Sequence, residues 1–245
     1  MNQTLFTLER ARQLTKDCYE LVLSGDTSAI TRPGQFVNIE LPGKFLRRPI
    51  SVCNWAEGTL LLLVRVMGEG SRALARCVPG TELDVLAGLG NGFEIEPCGR
   101  KPILIGGGIG LAPLYGLAQR LVNAGVVPTI AMGFRREADA FYLKEFSSLG
   151  CPIFIATEDG SLGTKGFVTD LVGSAADCDY GFVCGPLPML QAVHRLPQLT
   201  GGQFSFEARM GCGFGACMGC TIPVVGGQKR ICKDGPILWK EEILW

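Results

Sequence analysis

Four cysteines near the end of the chain follow one another at unequal intervals, and this spacing limits what the segment can fold into. They form the pattern C-x4-C-x2-C-x11-C, at Cys212, Cys217, Cys220 and Cys232. Several thiolates offered from one short stretch make the backbone wrap closely around an inorganic centre, as is typical of a [2Fe–2S] cluster. Glycine and alanine are frequent between them, so backbone N–H groups can approach inorganic sulfur. The sequence therefore predicts a [2Fe–2S] site.

Structural zinc is the main alternative for these four cysteines. Four-cysteine zinc sites usually present two separate C-x2-C pairs, whereas this chain has one such pair, Cys217 and Cys220. Disulfides rank last, because the chain has 11 cysteines, an odd number, and shows no secretory leader. The other cysteines stand singly, as small buried hydrophobic residues do. We therefore expect a reducing, cytoplasmic location.

The composition is that of an ordinary globular protein and excludes several functions. Lys+Arg and Asp+Glu both number 23, which leaves no excess of positive charge for binding nucleic acid or anionic lipid. No apolar run reaches the roughly 18 residues of a membrane-spanning helix, so we expect no membrane insertion. His194 is the only histidine, which excludes metal sites and acid–base relays built from two or more histidines.

The period of the apolar residues changes near residue 100. Up to Cys98, short alternating runs between turns predict a small β-barrel, with one short helix over 70–76. From Lys101, short apolar strands alternate with helical segments, which predicts a parallel α/β sheet. Helices are predicted over 111–123, 138–146, 166–172 and 189–194. We predict three units: a barrel over 1–98, an α/β domain over 99–203 and a small cluster lobe over 204–245.

A glycine-rich turn opens the α/β half. An apolar strand over 103–105 leads directly into Gly106, Gly107, Gly108 and Gly110, and a helix follows. A loop without Cβ atoms lets a pyrophosphate approach the backbone, and the helix start adds unpaired N–H groups. A tight turn alone would give the same pattern, but this is the first strand–helix junction, where dinucleotides bind. Further candidates follow later strands: Glu158, Asp159, Cys184, Gly185 and Pro186.

In the barrel half, an arginine pair and a second glycine-rich turn together resemble a flavin site. Arg47 and Arg48 precede a predicted strand, and the segment 68–71 opens the short helix. An arginine can donate two N–H bonds to a pyrophosphate, and a helix start can receive the same phosphates. A solvated arginine pair is the alternative for these two residues taken by themselves.

The order of barrel, glycine-loop domain and cysteine loop makes the chain resemble the electron-transfer subunits of bacterial two-subunit, NAD-dependent dihydroorotate dehydrogenases, relatives of ferredoxin–NADP reductase. The resemblance covers nearly the whole chain, and its most specific parts are the cysteine loop and the segment 232–236. It implies FAD, NAD and a [2Fe–2S] cluster as cofactors. The implied FAD contacts are Arg48, Pro49, Ile50, Ser51, Leu63, Val64, Arg65, Gly70 and Ser71.

Two positions depart from the wider reductase pattern. Ile50 stands where a tyrosine would stack on the flavin, and Ser71 stands where threonine is common. Nicotinamide choice also rests on the resemblance, because Arg135 and Arg136 end the second α/β strand without the acidic residue that would bind a ribose hydroxyl.

The resemblance also implies a partner. An FMN-containing catalytic subunit would oxidise dihydroorotate in pyrimidine biosynthesis, in a heterotetramer with two copies of each subunit. The C-terminal lobe is the expected docking face, because the cysteine loop is followed by further apolar residues, Ile237, Leu238, Trp239, Ile243, Leu244 and Trp245. These residues can equally pack into this chain's own core. Two other functions stay open: the FAD and [2Fe–2S] subunit of another ferredoxin- or hydrogenase-linked NAD(P) oxidoreductase, and a nucleotide-binding module with a zinc lobe.

Overall fold

The computed structural model describes residues 1–96, 98, 99, 101–174 and 177–245, and its first half is a closed antiparallel barrel. Apolar residues that alternate along each strand fill the interior, among them Phe6, Leu21 and Val37. The spatial order of the strands is β1–β2–β5–β4–β3–β6. The elements are β1 (Asn2–Gln13), β2 (Cys18–Ser24), β3 (Phe36–Ile39), β4 (Arg48–Ala56), β5 (Thr59–Arg65), α1 (Glu69–Ala75) and β6 (Glu82–Leu89). The predicted barrel is confirmed.

The second half is a sheet of mostly parallel strands with helices packed on it, also as predicted. Seven strands lie in the order β10–β9–β8–β7–β11–β12–β15. The elements are β7 (Pro102–Gly107), α2 (Leu111–Asn123), β8 (Thr129–Phe134), α3 (Leu143–Ser147), β9 (Ile153–Thr157), β10 (Thr164–Lys165), α4 (Val168–Ser174), β11 (Tyr180–Cys184), α5 (Leu187–His194) and β12 (Gly201–Ser205). Within the described ranges, no helix is long and apolar enough to cross a membrane.

The C-terminal lobe leaves this sheet and returns to it. After β12 the chain forms the cysteine loop and a hairpin of two strands, β13 (Thr221–Val224) and β14 (Gly227–Arg230). It then forms β15 (Ile237–Trp239), which pairs antiparallel with β12 at the edge of the sheet. The lobe is therefore inserted between two neighbouring strands.

A buried network joins the barrel to the α/β domain. The hydroxyl of Tyr142 donates a 2.7 Å hydrogen bond to Glu20 Oε2, and Arg12 donates two more to the same carboxylate. Tyr115 packs edge-on against Tyr142, with ring centroids 5.1 Å apart. Because a buried carboxylate is costly unless it is hydrogen-bonded, these contacts fix how the two halves meet.

One predicted helix is wrong, and two strands were not predicted. The helix expected over 138–146 is wrong: a 3-10 turn at Glu137–Asp139 and α3 are separated by Tyr142, whose φ is +63°. The break lets Phe141 and Tyr142 both turn into the core. Strand β1 was not predicted because it has few buried side chains, and β12 was not predicted because it begins with two glycines.

Candidate functional site

A cavity of about 670 Å³ lies where the carboxyl ends of the parallel strands face the barrel. The α/β side contributes Gly107, Gly108 and Gly185 to its wall, and the barrel side contributes Cys18 and Arg65. The carboxyl edge of an open parallel sheet is where dinucleotide ligands bind. The cavity therefore lies between the two predicted cofactor sites.

The glycine loop packs tightly on one side and is open on the other. A Cβ atom on Gly110 would lie 2.2 Å from the carbonyl oxygen of Cys184, and one on Gly107 would lie 2.5 Å from the Met189 sulfur. Gly108 differs, since it has a φ of +51° and its Cβ would meet only the Arg65 guanidinium, at 3.6 Å. Of these three glycines, Gly108 alone leaves open space at its Cβ position, and this space faces the barrel.

The other predicted dinucleotide residues are only partly brought together. Glu158, Gly185 and Pro186 line the cavity. Asp159 does not, and its carboxylate accepts hydrogen bonds from the backbone and hydroxyl of Ser161. Cys184 is buried beneath the loop, and burial raises the pKa of its thiol to about 12, so it stays protonated.

The two arginines of the barrel have different environments. Arg47 forms ion pairs with Glu40 and Asp84, at 2.6 and 2.7 Å, and is therefore a structural residue. Arg48 lies across the start of α1, where a Cβ atom on Gly70 would be 2.0 Å from its Nε. Its guanidinium donates hydrogen bonds to the backbone carbonyl oxygens of Leu46 and Arg47, and it has no acidic partner among the described residues. The structure thus brings Arg48 and Gly70 together.

The remaining predicted FAD residues surround this corner. The hydroxyl of Ser71 accepts hydrogen bonds from the backbone N–H groups of Met67 and Gly68, so it caps its own helix. The Leu63 and Val64 side chains are buried, which leaves their backbone as the accessible part. The segment Pro49, Ile50 and Ser51 lies near the start of β4, where this strand pairs with β3.

The four cysteines of the C-terminal loop form two pairs. The backbone N–H of Cys212 points at the sulfur of Cys217, 3.5 Å away, and the N–H of Cys232 points at the sulfur of Cys220, 3.4 Å away. Burial alone would raise the pKa of the Cys212 thiol, but backbone N–H groups, that of Cys217 foremost, lower it to about 6. A thiolate is the form that binds metal.

The pairing of the four cysteines can be compared with the ligand arrangement of an iron–sulfur cluster. Two pairs of thiols, each flanked by N–H groups directed at sulfur, match a cluster in which each of two irons takes two cysteines. The donor set and its small neighbours therefore fit a [2Fe–2S] group.

The C-terminal lobe, where the docking face is expected, is only partly exposed. Ile237, Leu238 and Ile243 are buried in this chain's own core, because β15 completes the edge of the sheet. Of the last apolar residues, Leu244 and Trp245 remain exposed. The cysteine loop of the same lobe also exposes two apolar side chains, Phe214 and Met218.

Two polar residues near these sites were missed. Glu207 follows β12 and lines the cavity, where it is exposed to solvent. The cavity walls partly desolvate its carboxyl and raise the pKa of that group. Asn38 lies in the middle of β3 and is 1% exposed. The signal for Asn38 was present, since it is a polar residue inside an apolar run. Glu207 stands in no motif that marks it.

Comparison with known proteins places these sites in one family. Residues 207–244 match the iron–sulfur cluster binding domain of dihydroorotate dehydrogenase B. The dihydroorotate dehydrogenase B (NAD(+)) electron transfer subunit of Geobacillus sp. (strain WCH70) is 40% identical over 100% of this chain and 99% of its own. That of Bacillus mycoides (strain KBAB4) is 42% identical over 92% of each.

Solved structures agree on the architecture. The NADH-dependent reduced ferredoxin–NADP oxidoreductase structure superposes with a TM-score of 0.89 at 30% identity, over 99% of this chain and 90% of that one. An Amycolatopsis cytochrome P450 reductase matches with a TM-score of 0.68 at 25% identity, over 78% and 64%. The likeness to the dihydroorotate dehydrogenase B proteins runs from the barrel through the cysteine loop. The chain thus belongs to the family of dihydroorotate dehydrogenase B (NAD(+)) electron transfer subunits.

Proposed function

We propose that the chain passes electrons from a dihydroorotate-oxidising partner through a [2Fe–2S] cluster and FAD to NAD⁺. The observation that carries this is the shared cavity. Its walls come both from the barrel, through Cys18 and Arg65, and from the glycine loop, through Gly108. Ligands held by the two halves would therefore face each other, as hydride transfer requires.

The barrel supplies the flavin site. Bound FAD would convert between the hydride of nicotinamide and the single electrons of the cluster. Arg48 can donate charge-assisted hydrogen bonds to the FAD phosphates, because it has no acidic partner among the described residues. Gly70 leaves the space that Arg48 occupies. The full proposed set is Arg48, Pro49, Ile50, Ser51, Leu63, Val64, Arg65, Gly70 and Ser71.

The cleft supplies the nicotinamide site. Gly108 presents open backbone to the cavity, and Glu158 brings a carboxylate to the end of β9. That carboxylate supports NAD over NADP, because it can accept hydrogen bonds from ribose hydroxyls and would repel a 2′-phosphate. Arg135 and Arg136 are already paired with Asp139. The full proposed set is Gly106, Gly107, Gly108, Gly110, Glu158, Asp159, Cys184, Gly185 and Pro186.

The lobe supplies the cluster site, through Cys212, Cys217, Cys220 and Cys232. The backbone N–H groups of Ala216 and Cys217, directed at the Cys212 sulfur, stabilise its thiolate form and would lower the electron density on a bound cluster. We propose that 1–98, 99–203 and 204–245 act as the flavin, nicotinamide and cluster units. Strand β12 crosses the second boundary and β15 returns to the sheet, so the third unit is attached at both ends.

The partner completes the reaction. An electron transfer subunit of this family implies a separate catalytic dihydroorotate dehydrogenase subunit. We propose that this subunit contains FMN, that two copies of each subunit form a heterotetramer, and that the complex acts in the cytoplasm in pyrimidine biosynthesis.

The experiment is a reconstitution. The purified chain should contain iron, acid-labile sulfide and FAD, and should reduce an artificial dye with NADH. It should not oxidise dihydroorotate until an FMN-containing dihydroorotate dehydrogenase subunit is added, after which NAD⁺-linked turnover should begin. Zinc without sulfide, or dihydroorotate oxidation by the chain alone, would overturn the proposal.

One alternative has its own observation. The likeness to the ferredoxin–NADP oxidoreductase extends over nearly the full chain, so the subunit of another ferredoxin-linked complex is the second candidate. The higher identity to the dihydroorotate dehydrogenase B relatives favours the first. Turnover with reduced ferredoxin and NADP⁺, in the absence of the FMN subunit, would reverse this order.

A further inference from the structure

We propose that Asn38 positions the cysteine loop on the flavin-binding side of the barrel, and that Cys212 is therefore the cluster ligand through which electrons pass to the flavin. The inference rests on the proposed function for the presence of both cofactors. A bound cluster would supply single electrons to bound FAD, and two such transfers would be needed for each NAD⁺ that accepts a hydride. Neither the contact nor a preferred ligand follows from the cysteine spacing.

Strand β3 lies between the barrel core and the lobe. Val37 and Ile39 point into the barrel interior. Phe36 packs in a second apolar cluster together with Cys220 and Cys232. Side chains alternate along a strand, so Asn38 shares the outer face with Phe36 and is covered there by the lobe. All four residues of β3 are consequently buried.

One hydrogen bond connects the two units at a cluster ligand. Asn38 Nδ2 donates to the carbonyl oxygen of Cys212 over 3.1 Å. The next residue, Gly213, has a φ of +81°, and a Cβ atom there would lie 2.3 Å from Asn38 Nδ2. The backbone at Gly213 and the Asn38 amide can therefore approach this closely only because Gly213 has no side chain. The contact fixes the peptide group that follows the cluster ligand.

The carbonyl oxygen of the Asn38 side chain has no hydrogen-bond partner among the described residues. Asn38 Oδ1 is buried and accepts no hydrogen bond, the one such side-chain atom among the described residues. Leaving a buried acceptor without a donor costs about 1–3 kcal/mol, so such atoms usually serve a bound group or water.

The same strand pair carries the proposed flavin residues. Asn38 pairs with Pro49 across the β3–β4 ladder, and Ile39 pairs with Arg48. A directly opposite pair on one face of a sheet has Cβ atoms about 4.5–5.5 Å apart. The connection from Cys212 to the flavin strand therefore needs one hydrogen bond and one cross-strand contact.

The test measures flavin reduction and cluster reduction separately in one absorbance recording. The full chain, loaded with FAD and cluster, is mixed anaerobically with NADH, and flavin reduction and the later cluster reduction are followed by absorbance. In Asn38→Ala and Asn38→Asp, flavin reduction should be unchanged and cluster reduction should slow about tenfold or more, since small displacements of reacting groups cost large factors in rate. The electron paramagnetic resonance spectrum of the reduced cluster should also shift.

Asn91→Ala is the matched control. Its side-chain amide also joins the barrel to the C-terminal segment, donating to the carbonyl oxygen of Ile237 over 2.8 Å, but contacts no cluster ligand. It should leave the spectrum and the cluster phase unchanged. Unchanged cluster reduction in loaded Asn38 variants would overturn the inference, as would cluster loss in every Asn38 variant, including Asn38→Ser. Wild-type protein without flavin or cluster would instead overturn the proposed function.

Discussion

The loops 106–110 and 211–219 are both rich in glycine, but the glycines have different roles. In the dinucleotide loop, Gly107 and Gly110 have ordinary backbone angles and are required because other parts of the chain lie within 2.5 Å of where a Cβ would be. In the cluster loop, Gly213 and Gly215 have φ values of +81° and +91°, which turn the backbone N–H groups toward cysteine sulfur. Packing alone accounts for Gly107 and Gly110, whereas Gly213 combines a left-handed backbone with a close approach of the Asn38 amide. Glycine content alone therefore does not identify the ligand.

The largest expected effect tests whether the two loops are independent. Cys220→Ser removes one thiol of the second cysteine pair, and the cluster should be lost completely. FAD should remain bound and NADH should still reduce a dye, because the cavity contains no residue of the cysteine loop. Iron, sulfide and flavin analyses measure both outcomes. Loss of flavin together with iron would show that the loops depend on each other.

The next prediction separates packing from ligand access within one loop. Gly110→Ala should destabilise the fold by about 1–3 kcal/mol, because its Cβ would overlap the carbonyl oxygen of Cys184. Gly108→Ala has room and should cost only about 1 kcal/mol for its left-handed backbone, yet it should slow NADH-driven reduction. Thermal unfolding and stopped-flow reduction measure the two effects. Equal unfolding temperatures would contradict the packing role of Gly110.

A third glycine-rich turn extends the comparison to the flavin corner. Arg48→Ala should weaken FAD binding by about 1.5–3 kcal/mol, the range of a charge-assisted hydrogen bond. Arg47→Ala is the control, since Arg47 is already paired with Glu40 and Asp84 and should affect barrel stability more than FAD. Flavin retention after dialysis gives the answer. Equal retention by the two variants would remove the assigned role of Arg48.

The smallest effect concerns pH. Partial desolvation by the cavity walls raises the pKa of the Glu207 carboxyl, so the ionised form is disfavoured in the folded state relative to the unfolded chain. The group therefore favours folding at low pH, and this contribution is lost as pH rises through its folded pKa. Glu207→Gln should unfold at a higher temperature than wild type at pH 8, with a smaller difference at pH 5. A difference that does not change with pH would contradict this account.

The sequence predicted the architecture well where local pattern and tertiary structure agree. The change of apolar period near residue 100 separated the barrel from the α/β sheet, and the helix predicted over 111–123 matches α2. Tyr142 shows where pattern fails. Its neighbours follow a helical period, but burial of two successive aromatic side chains breaks the helix.

The candidate sites could be predicted where their residues lie in one continuous segment of the chain. The cysteine loop and the glycine loop are continuous in sequence, so spacing reveals them. The contact between Asn38 and Cys212 joins residues 174 positions apart, and no local pattern carries such information. The two neighbouring arginines are a third case, because Glu40 and the distant Asp84 pair with the structural Arg47 and not with Arg48.

The attachment of the lobe at both ends has a consequence for how the protein moves. A domain on a single linker can swing, and its reactions are then gated by the time that it spends near its target. Here the entry strand β12 and the exit strand β15 are hydrogen-bonded to each other, so the lobe has no hinge of its own. We therefore expect a nearly constant separation between cluster and flavin, and an electron-transfer rate that is insensitive to solvent viscosity.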